Sequence, residues 1–188
     1  VQAMVLMAKS YPRNQMQAMD RILNACTRPT LASSALYAYS RGGAQITGAS
    51  IRLAETIAQQ WGNIDYGIRE LKQENGESTV EAYAWDLETN VRQTKVFQVQ
   101  HMRHTRGGGY QLTDPRDIYE LVANNGARRL RACLLGVIPS DVIEAAVEQC
   151  HVTQAAAGDL TDEMMKQTVS AYEAIGVTPE MLAKRMQR

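Results

Sequence analysis

The chain has 188 residues, 45% of them apolar, with 20 basic and 20 acidic side chains, so it is formally neutral and disorder is a poor description of it. No apolar run approaches the roughly 20 residues of a membrane span, and three cysteines far apart in sequence, Cys26, Cys133 and Cys150, read as reduced thiols rather than a disulfide or zinc framework. The neutral total hides an uneven distribution: 8 basic and 9 acidic groups over residues 1–88, 8 and 3 over 89–135, and 4 and 8 over 136–188.

The chain begins at valine, which suggests a piece of a longer protein, and shows no signal peptide. Val1, Met4, Val5 and Ala8 share one face of a first helix over Val1–Lys9, which Tyr11-Pro12-Arg13-Asn14 breaks. A second helix over Asn14–Cys26 turns Met16, Met19, Ile22 and Leu23 inward, as core filling. Thr30 caps a short turn to Ala35. Leu36–Thr47 reads as a hairpin, with Tyr37 and Tyr39 alternating and Arg41-Gly42-Gly43 at the turn. A helix over Ala49–Trp61 follows, stopped by Gly62. Then comes a meander: a strand over Ile64–Gln73, the Asn75-Gly76 turn, an alternating strand over Thr79–Leu87, and a third strand over Val91–His104. Both faces of the meander carry apolar residues, as if a neighbouring subunit covered one of them. Thr105–Gln111 reads as a glycine-rich loop.

Thr113–Pro139 has the clearest helical grammar in the chain. Asp114 suits the cap, Pro115 the first helical position, and Asp117 the positive end of the dipole. Ile118, Tyr119, Val122, Gly126, Leu130, Cys133 and Leu134 form the apolar face, and Asn124, Arg128 and Arg131 a polar stripe. Arg129 falls inside the apolar arc, where a guanidinium needs a counter-charge; a carboxylate from the sheet is the expected one. This helix should end near Gly136. Ser140 starts a shorter helix to about Cys150, Thr153–Gly158 reads as a linker, and two further helices begin at Thr161-Asp162-Glu163 and Thr178-Pro179-Glu180. Met164, Met165, Val169 and Tyr172 are available for packing there. The fold class is α+β: a helical N-terminal segment, a hairpin feeding a helix, a three-stranded meander followed by a long helix, and a helical tail. Three segments follow, a core over 1–152, a linker over 153–159 and a small helical region over 160–188.

The chemistry points to binding more than to catalysis. His101 and His104 sit at a spacing that places them on opposite faces of a strand, which disfavours a shared metal. Asp86 and Glu88 near a turn read as solvated carboxylates. No Walker, Ser–His–Asp or HExxH pattern stands out. A metal-assisted nuclease using Asp86, Glu88, His101 or His104, and a scaffold that recruits only proteins, remain alternatives. Fifteen of the 20 basic residues are arginine, whose planar forks fit phosphates. Arg92, Lys95, Arg103 and Arg106 lie on or beside the third strand, and Arg116, Arg128, Arg129 and Arg131 on the long helix, so their shared border would be a basic groove. Tyr37, Tyr39, Tyr83, Trp85 and Tyr110 are candidates to stack bases, although core packing is the simpler reading of Trp61 and Trp85. A solvated surface is the competing reading of the basic segment.

The runs AYSRGGAQITGASIRLAETIAQQWGNI, EAYAWDLET and QLTDPRDIYELVANNGARRLRACLLGVIP, in this order over roughly residues 1–150, resemble the RecT and Red-beta single-strand annealing proteins of phages. The resemblance implies ATP-independent pairing of complementary DNA strands, laid in a positively charged groove that crosses the subunits of a ring or helical filament. It implies phage homologous recombination in the cytoplasm of a bacterial host, no resident cofactor (magnesium entering only with the DNA), and single-stranded DNA and an annealed duplex intermediate as ligands. A phage exonuclease and a single-strand-binding protein are the implied protein partners. Residues 160–188 resemble the start of the family's small helical C-terminal domain, cut short. The DNA-contacting set it implies is Arg41, Gln45 and Arg52 on the hairpin and its helix, Arg103 and Arg106 after the meander, and Arg116, Asn124, Arg128, Arg129 and Arg131 on the long helix. Asn124-Asn125 stand where RecT-like helices carry a lysine pair.

Overall fold

The computed structural model describes residues 2–105, 107–158 and 162–186. Two compact units appear, Val1–Thr153 and Gln154–Arg188. The first opens with helices α1 (Gln2–Ser10) and α2 (Gln15–Cys26). Asn14 caps α2, its side-chain oxygen accepting from the Gln17 N–H. Of the residues expected inward on α2, Ile22 is buried, Met19 packs half-buried against the core and Leu23 is half-buried, but Met16 is 81% exposed; Ala18, Ala25 and Cys26 complete the buried face. Alanines let helices approach closely, and Met16 points away from Ala18 because two positions along a helix are nearly half a turn apart. Helix α3 (Pro29–Ala35) starts two residues earlier than a Thr30 cap would allow, because Pro29 takes the first helical position and Arg28 the cap.

The hairpin is β1 (Leu36–Arg41) paired with β2 (Ala44–Ala49). Gly42 and Gly43, at φ 59° and 82°, supply the two left-handed residues that a two-residue hairpin turn needs. Ser50 then caps α4 (Ile51–Trp61), which buries Leu53, Ala54, Ile57, Ala58 and Trp61. The meander is β3 (Ile64–Glu74), β4 (Glu77–Asp86) and β5 (Val91–Gln100), antiparallel in that order. In β4 every second residue is buried, so Val80, Ala82, Ala84 and Asp86 face inward.

The third strand is shorter than its sequence suggests, and the glycine-rich segment is not a loop. The chain kinks at His101, and β6 (Met102–Thr105) pairs with β7 (Gly108–Gln111) as a second hairpin. Tertiary contacts fix the kink. The His101 N–H donates to the Gly76 carbonyl at 2.8 Å, and its Nε2 lies 2.7 Å from the Ser78 hydroxyl. His101 is buried and His104 exposed.

Helix α5 (Pro115–Val137) packs across the sheet. Asp114 caps it by accepting from the Arg116 N–H at 2.7 Å. Val122, Gly126, Leu130, Cys133 and Leu134 are buried, and a Cβ on Gly126 would come within 2.8 Å of Ile68. Tyr119, expected inward, is 71% exposed; Ile118, Leu121 and Val122 make the contact there with Val80, Phe97 and Val99. The helix runs one residue past Gly136, and Ile138 is extended, as a residue before proline prefers.

Helix α6 (Ser140–Gly158) extends well beyond Cys150. Residues 153–158, linker-like in composition, are helical, in keeping with the propensity of their three alanines. All three cysteines are buried in the core that α2, α4, α5 and α6 form against β4. Burial foremost, and then the neighbouring Cys150, distant in sequence, push the Cys26 thiol up to about 12. In the second unit α7 (Asp162–Ala174) and α8 (Pro179–Met186) are separated by a turn at Gly176, φ 83°. Val169 is half-buried and Tyr172 exposed, while the side chains of Met164 and Met165 lie outside the described set. No described helix is long and apolar enough to cross a membrane.

Candidate nucleic-acid interface

The cationic side chains of α5 divide between two flanks of the helix. One flank meets β5. There Arg129 lies over the Phe97 ring at 4.7 Å and donates through Nη1 to the backbone oxygen and side-chain Oδ1 of Asn125. It has no carboxylate partner among the described residues, contrary to expectation, because an aromatic face and two carbonyl oxygens meet a half-buried guanidinium instead. Asn125 is further tied through its amide to the Leu121 carbonyl.

The other flank meets the first hairpin. Arg131 lies over the Tyr37 ring at 4.3 Å, and Tyr37 stacks on Tyr39 with centroids 6.0 Å apart and planes 25° apart. The stack has two sequence causes. Tyr37 and Tyr39 alternate onto one face of β1, and Gly48, opposite Tyr37, leaves room for its ring, since a Cβ there would sit 2.7 Å from the Tyr37 hydroxyl. Tyr39 is half exposed, and Arg128 and Asn124 continue the flank as solvent-facing residues. Arg131, Tyr37 and Tyr39 thus form a cation–aromatic ladder that α5 shares with the hairpin, with Arg128 one turn away.

Among the described residues, the rest of the expected set makes no hydrogen bond, ion pair or ring contact with this ladder. Arg116 is 85% exposed and pairs with Glu120 at 3.4 Å. Arg52 is exposed on α4 and Arg103 on β6. Arg106 lies outside the described residues, as do the side chains of Arg41 and Gln45, whose backbones flank the Gly42-Gly43 turn. Arg92 and Lys95 do not share a border, because an odd spacing along a strand places them on opposite faces. Lys95 is on the α5 side. Arg92 is on the outer face, where it and Arg69 flank the Tyr83 ring at 5.4 and 4.5 Å and both pair with Glu81, at 3.6 and 3.3 Å.

The candidate nuclease residues are not brought together. Asp86 and Ser78, the partner of His101, are eight residues apart on β4, about 26 Å at ~3.3 Å per residue. Asp86 and Glu88 are not solvated. Arg13 donates to Asp86 Oδ1 at 2.5 Å and to Glu88 Oε1 at 2.7 Å, Asn63 adds a bond to Glu88 Oε1 at 2.6 Å, and Arg13 also lies over Trp61 at 5.1 Å. Burial opposes ionisation of Glu88, but the hydrogen bonds from Arg13 and Asn63 outweigh it and hold its carboxyl below the usual range. The cavity beside this cluster, about 360 Å³, is otherwise lined largely by Trp61, Val91, Val137, Ile138 and Pro139. The described residues contain no group of three or more His, Cys, Asp or Glu placed to hold a metal ion. Arg13, which in the sequence is only part of a helix break, is thus a structural keystone. The contact of Arg131 with Tyr37 is equally unmarked in the sequence, although the tyrosine alternation signals half of it. Comparison with family models, curated proteins and solved structures gave no match.

Proposed function

We propose that this chain is a single-strand DNA annealing protein of the RecT and Red-beta type. One observation carries the reading: a polar stripe on α5, with Asn124 and Arg128 exposed, ends in the half-buried Arg131 guanidinium over a partly exposed tyrosine pair. Guanidinium forks hold phosphates, and tyrosine faces accept bases of any sequence. A strand held by backbone and stacking keeps its Watson–Crick edges free, so a second strand tests its register against the first by pairing alone, and nothing in the step calls for nucleotide hydrolysis. Asn124 is exposed and open to a ligand, whereas Asn125 is engaged with Leu121 and Arg129. Of the two positions that depart from the family's lysine pair, only Asn124 is therefore assigned to DNA.

A neutral chain binds a polyanion weakly as a monomer. Repetition of the +5 segment over residues 89–135 along a ring or helical filament supplies a continuous cationic track. An exonuclease that exposes single strands, and a single-strand-binding protein engaged through residues 160–188, complete the proposed setting in the bacterial cytoplasm, with magnesium entering only with the DNA.

The test is the salt dependence of single-stranded oligonucleotide binding. Affinity should be nearly independent of sequence. Arg128→Ala/Arg131→Ala should reduce the slope of log K against log salt by about 0.7 for each phosphate that is no longer neutralised. An unchanged slope and affinity in the folded double variant would assign this flank to solvent.

A further inference from the structure

We infer that the β6–β7 hairpin is a second, separate contact for single-stranded nucleic acid, with Tyr110 as a base-stacking residue and Arg103 as its phosphate partner. This rests on the function proposed above and adds a site that the α5 flank does not include. Every described residue of both strands is exposed, and the hairpin is a two-stranded sheet of its own, separate from the meander. A two-stranded hairpin has little stability by itself, so its position depends on its root. The root is firm: buried His101 is bonded to Ser78 and Gly76, and the Leu112 N–H returns to the His101 carbonyl at 2.7 Å.

The register decides what the arm presents. Arg103 pairs with Tyr110 across the two strands, so both side chains rise from the same face. Met102, His104 and Gly109 occupy the other, where a Cβ on Gly109 would meet His104 and Met102 at 3.1 and 3.3 Å. Tyr110 is 51% exposed, and neither it nor Arg103 has a hydrogen-bond, ion-pair or ring partner among the described residues. A protruding cation beside an exposed aromatic ring, both unused by the fold, suits a ligand with an anionic backbone and planar groups. The strand that leads into the arm adds cations but no acid of its own: from Thr89 to Thr113 the sequence has four basic residues and no Asp or Glu, and the carboxylates beside β5 come from β4, where Glu81 pairs with Arg92 and Glu77 accepts from Gln98. The outer face of the meander also presents an aromatic, but there Glu81 neutralises Arg69 and Arg92, which disfavours a polyanion.

Photocross-linking of oligothymidylate carrying 5-iodouracil, followed by peptide mass spectrometry, reads the contact directly in the full chain. Cross-links to Tyr110 are expected. Tyr110→Ala should weaken oligonucleotide binding by about tenfold with an unchanged melting curve, and Tyr110→Phe should restore most of the affinity. Binding at wild-type strength by Tyr110→Ala, with cross-links only on α5 and the first hairpin, would overturn the arm as a contact and leave the annealing reading standing. Absence of any oligonucleotide binding by the wild-type chain would overturn both.

Discussion

Arg13 joins three parts of the chain through one side chain. Its guanidinium bonds Asp86 and Glu88 across more than 70 residues of sequence and covers Trp61, with the arginine and aspartate side chains 5% and 3% exposed. Without it, two carboxylates at the β4–β5 turn lose their counter-charge in a buried setting. Arg13→Ala should therefore lower the unfolding free energy by about 3–5 kcal/mol, measured by denaturant titration. A loss comparable to that of a surface arginine would mean the cluster is satisfied by water. The same cluster sets an acid limit. The folded carboxyl of Glu88 titrates below its unfolded value, so its contribution is present above the ordinary carboxylate range and disappears as pH falls through the folded value. Stability should begin to fall below about pH 4–5. Glu88→Gln should be less stable at neutral pH but flatter on the acid side, and an acid limb as steep as that of the parent would assign the titration elsewhere.

The elements whose grammar is local are legible in the sequence. Asp114-Pro115 marks the start of α5 to the residue, Asn75-Gly76 the β3–β4 turn, and Arg41-Gly42-Gly43 the first hairpin, because capping and positive-φ turns depend on residues at fixed short offsets. What depends on distant partners is not legible. The kink that divides β5 from β6 is made by a histidine and a serine 23 residues apart. Arg129 meets Phe97 rather than a carboxylate, and Met16 yields its place to Ala18, because closeness of helix packing is not written in hydrophobicity. The candidate site is half legible: the arginine stripe shows its period, but its junction with the tyrosines is a tertiary contact. Gly48 allows a test of that junction without altering charge. Gly48→Ala displaces the far end of the Tyr37 side chain, which can move at small cost in stability, and takes the ring from beneath Arg131. Single-stranded DNA affinity should drop several-fold, roughly 1 kcal/mol, with little change in melting temperature. Unchanged affinity with a displaced ring, seen in the Tyr37 NMR shifts, would remove the ladder from the interface.

At the scale of the whole molecule, neutrality and DNA binding are compatible only if charge is arranged rather than accumulated. The stretch from Thr89 to Thr113 carries no Asp or Glu, and Arg128 and Arg131 of α5 lie on the flank that meets the first hairpin. Oligomers would align these segments, and binding would weaken steeply with salt in proportion to the number of phosphates covered. The most direct test of this account is annealing of two fluorescently labelled complementary oligonucleotides, without ATP, by the parent chain and by Arg128→Ala/Arg131→Ala at equal concentration and salt. The parent should accelerate pairing well beyond the spontaneous rate, and the folded double variant should lose most of that acceleration. Pairing no faster than in protein-free buffer, under conditions where the parent is folded and saturating, would contradict it.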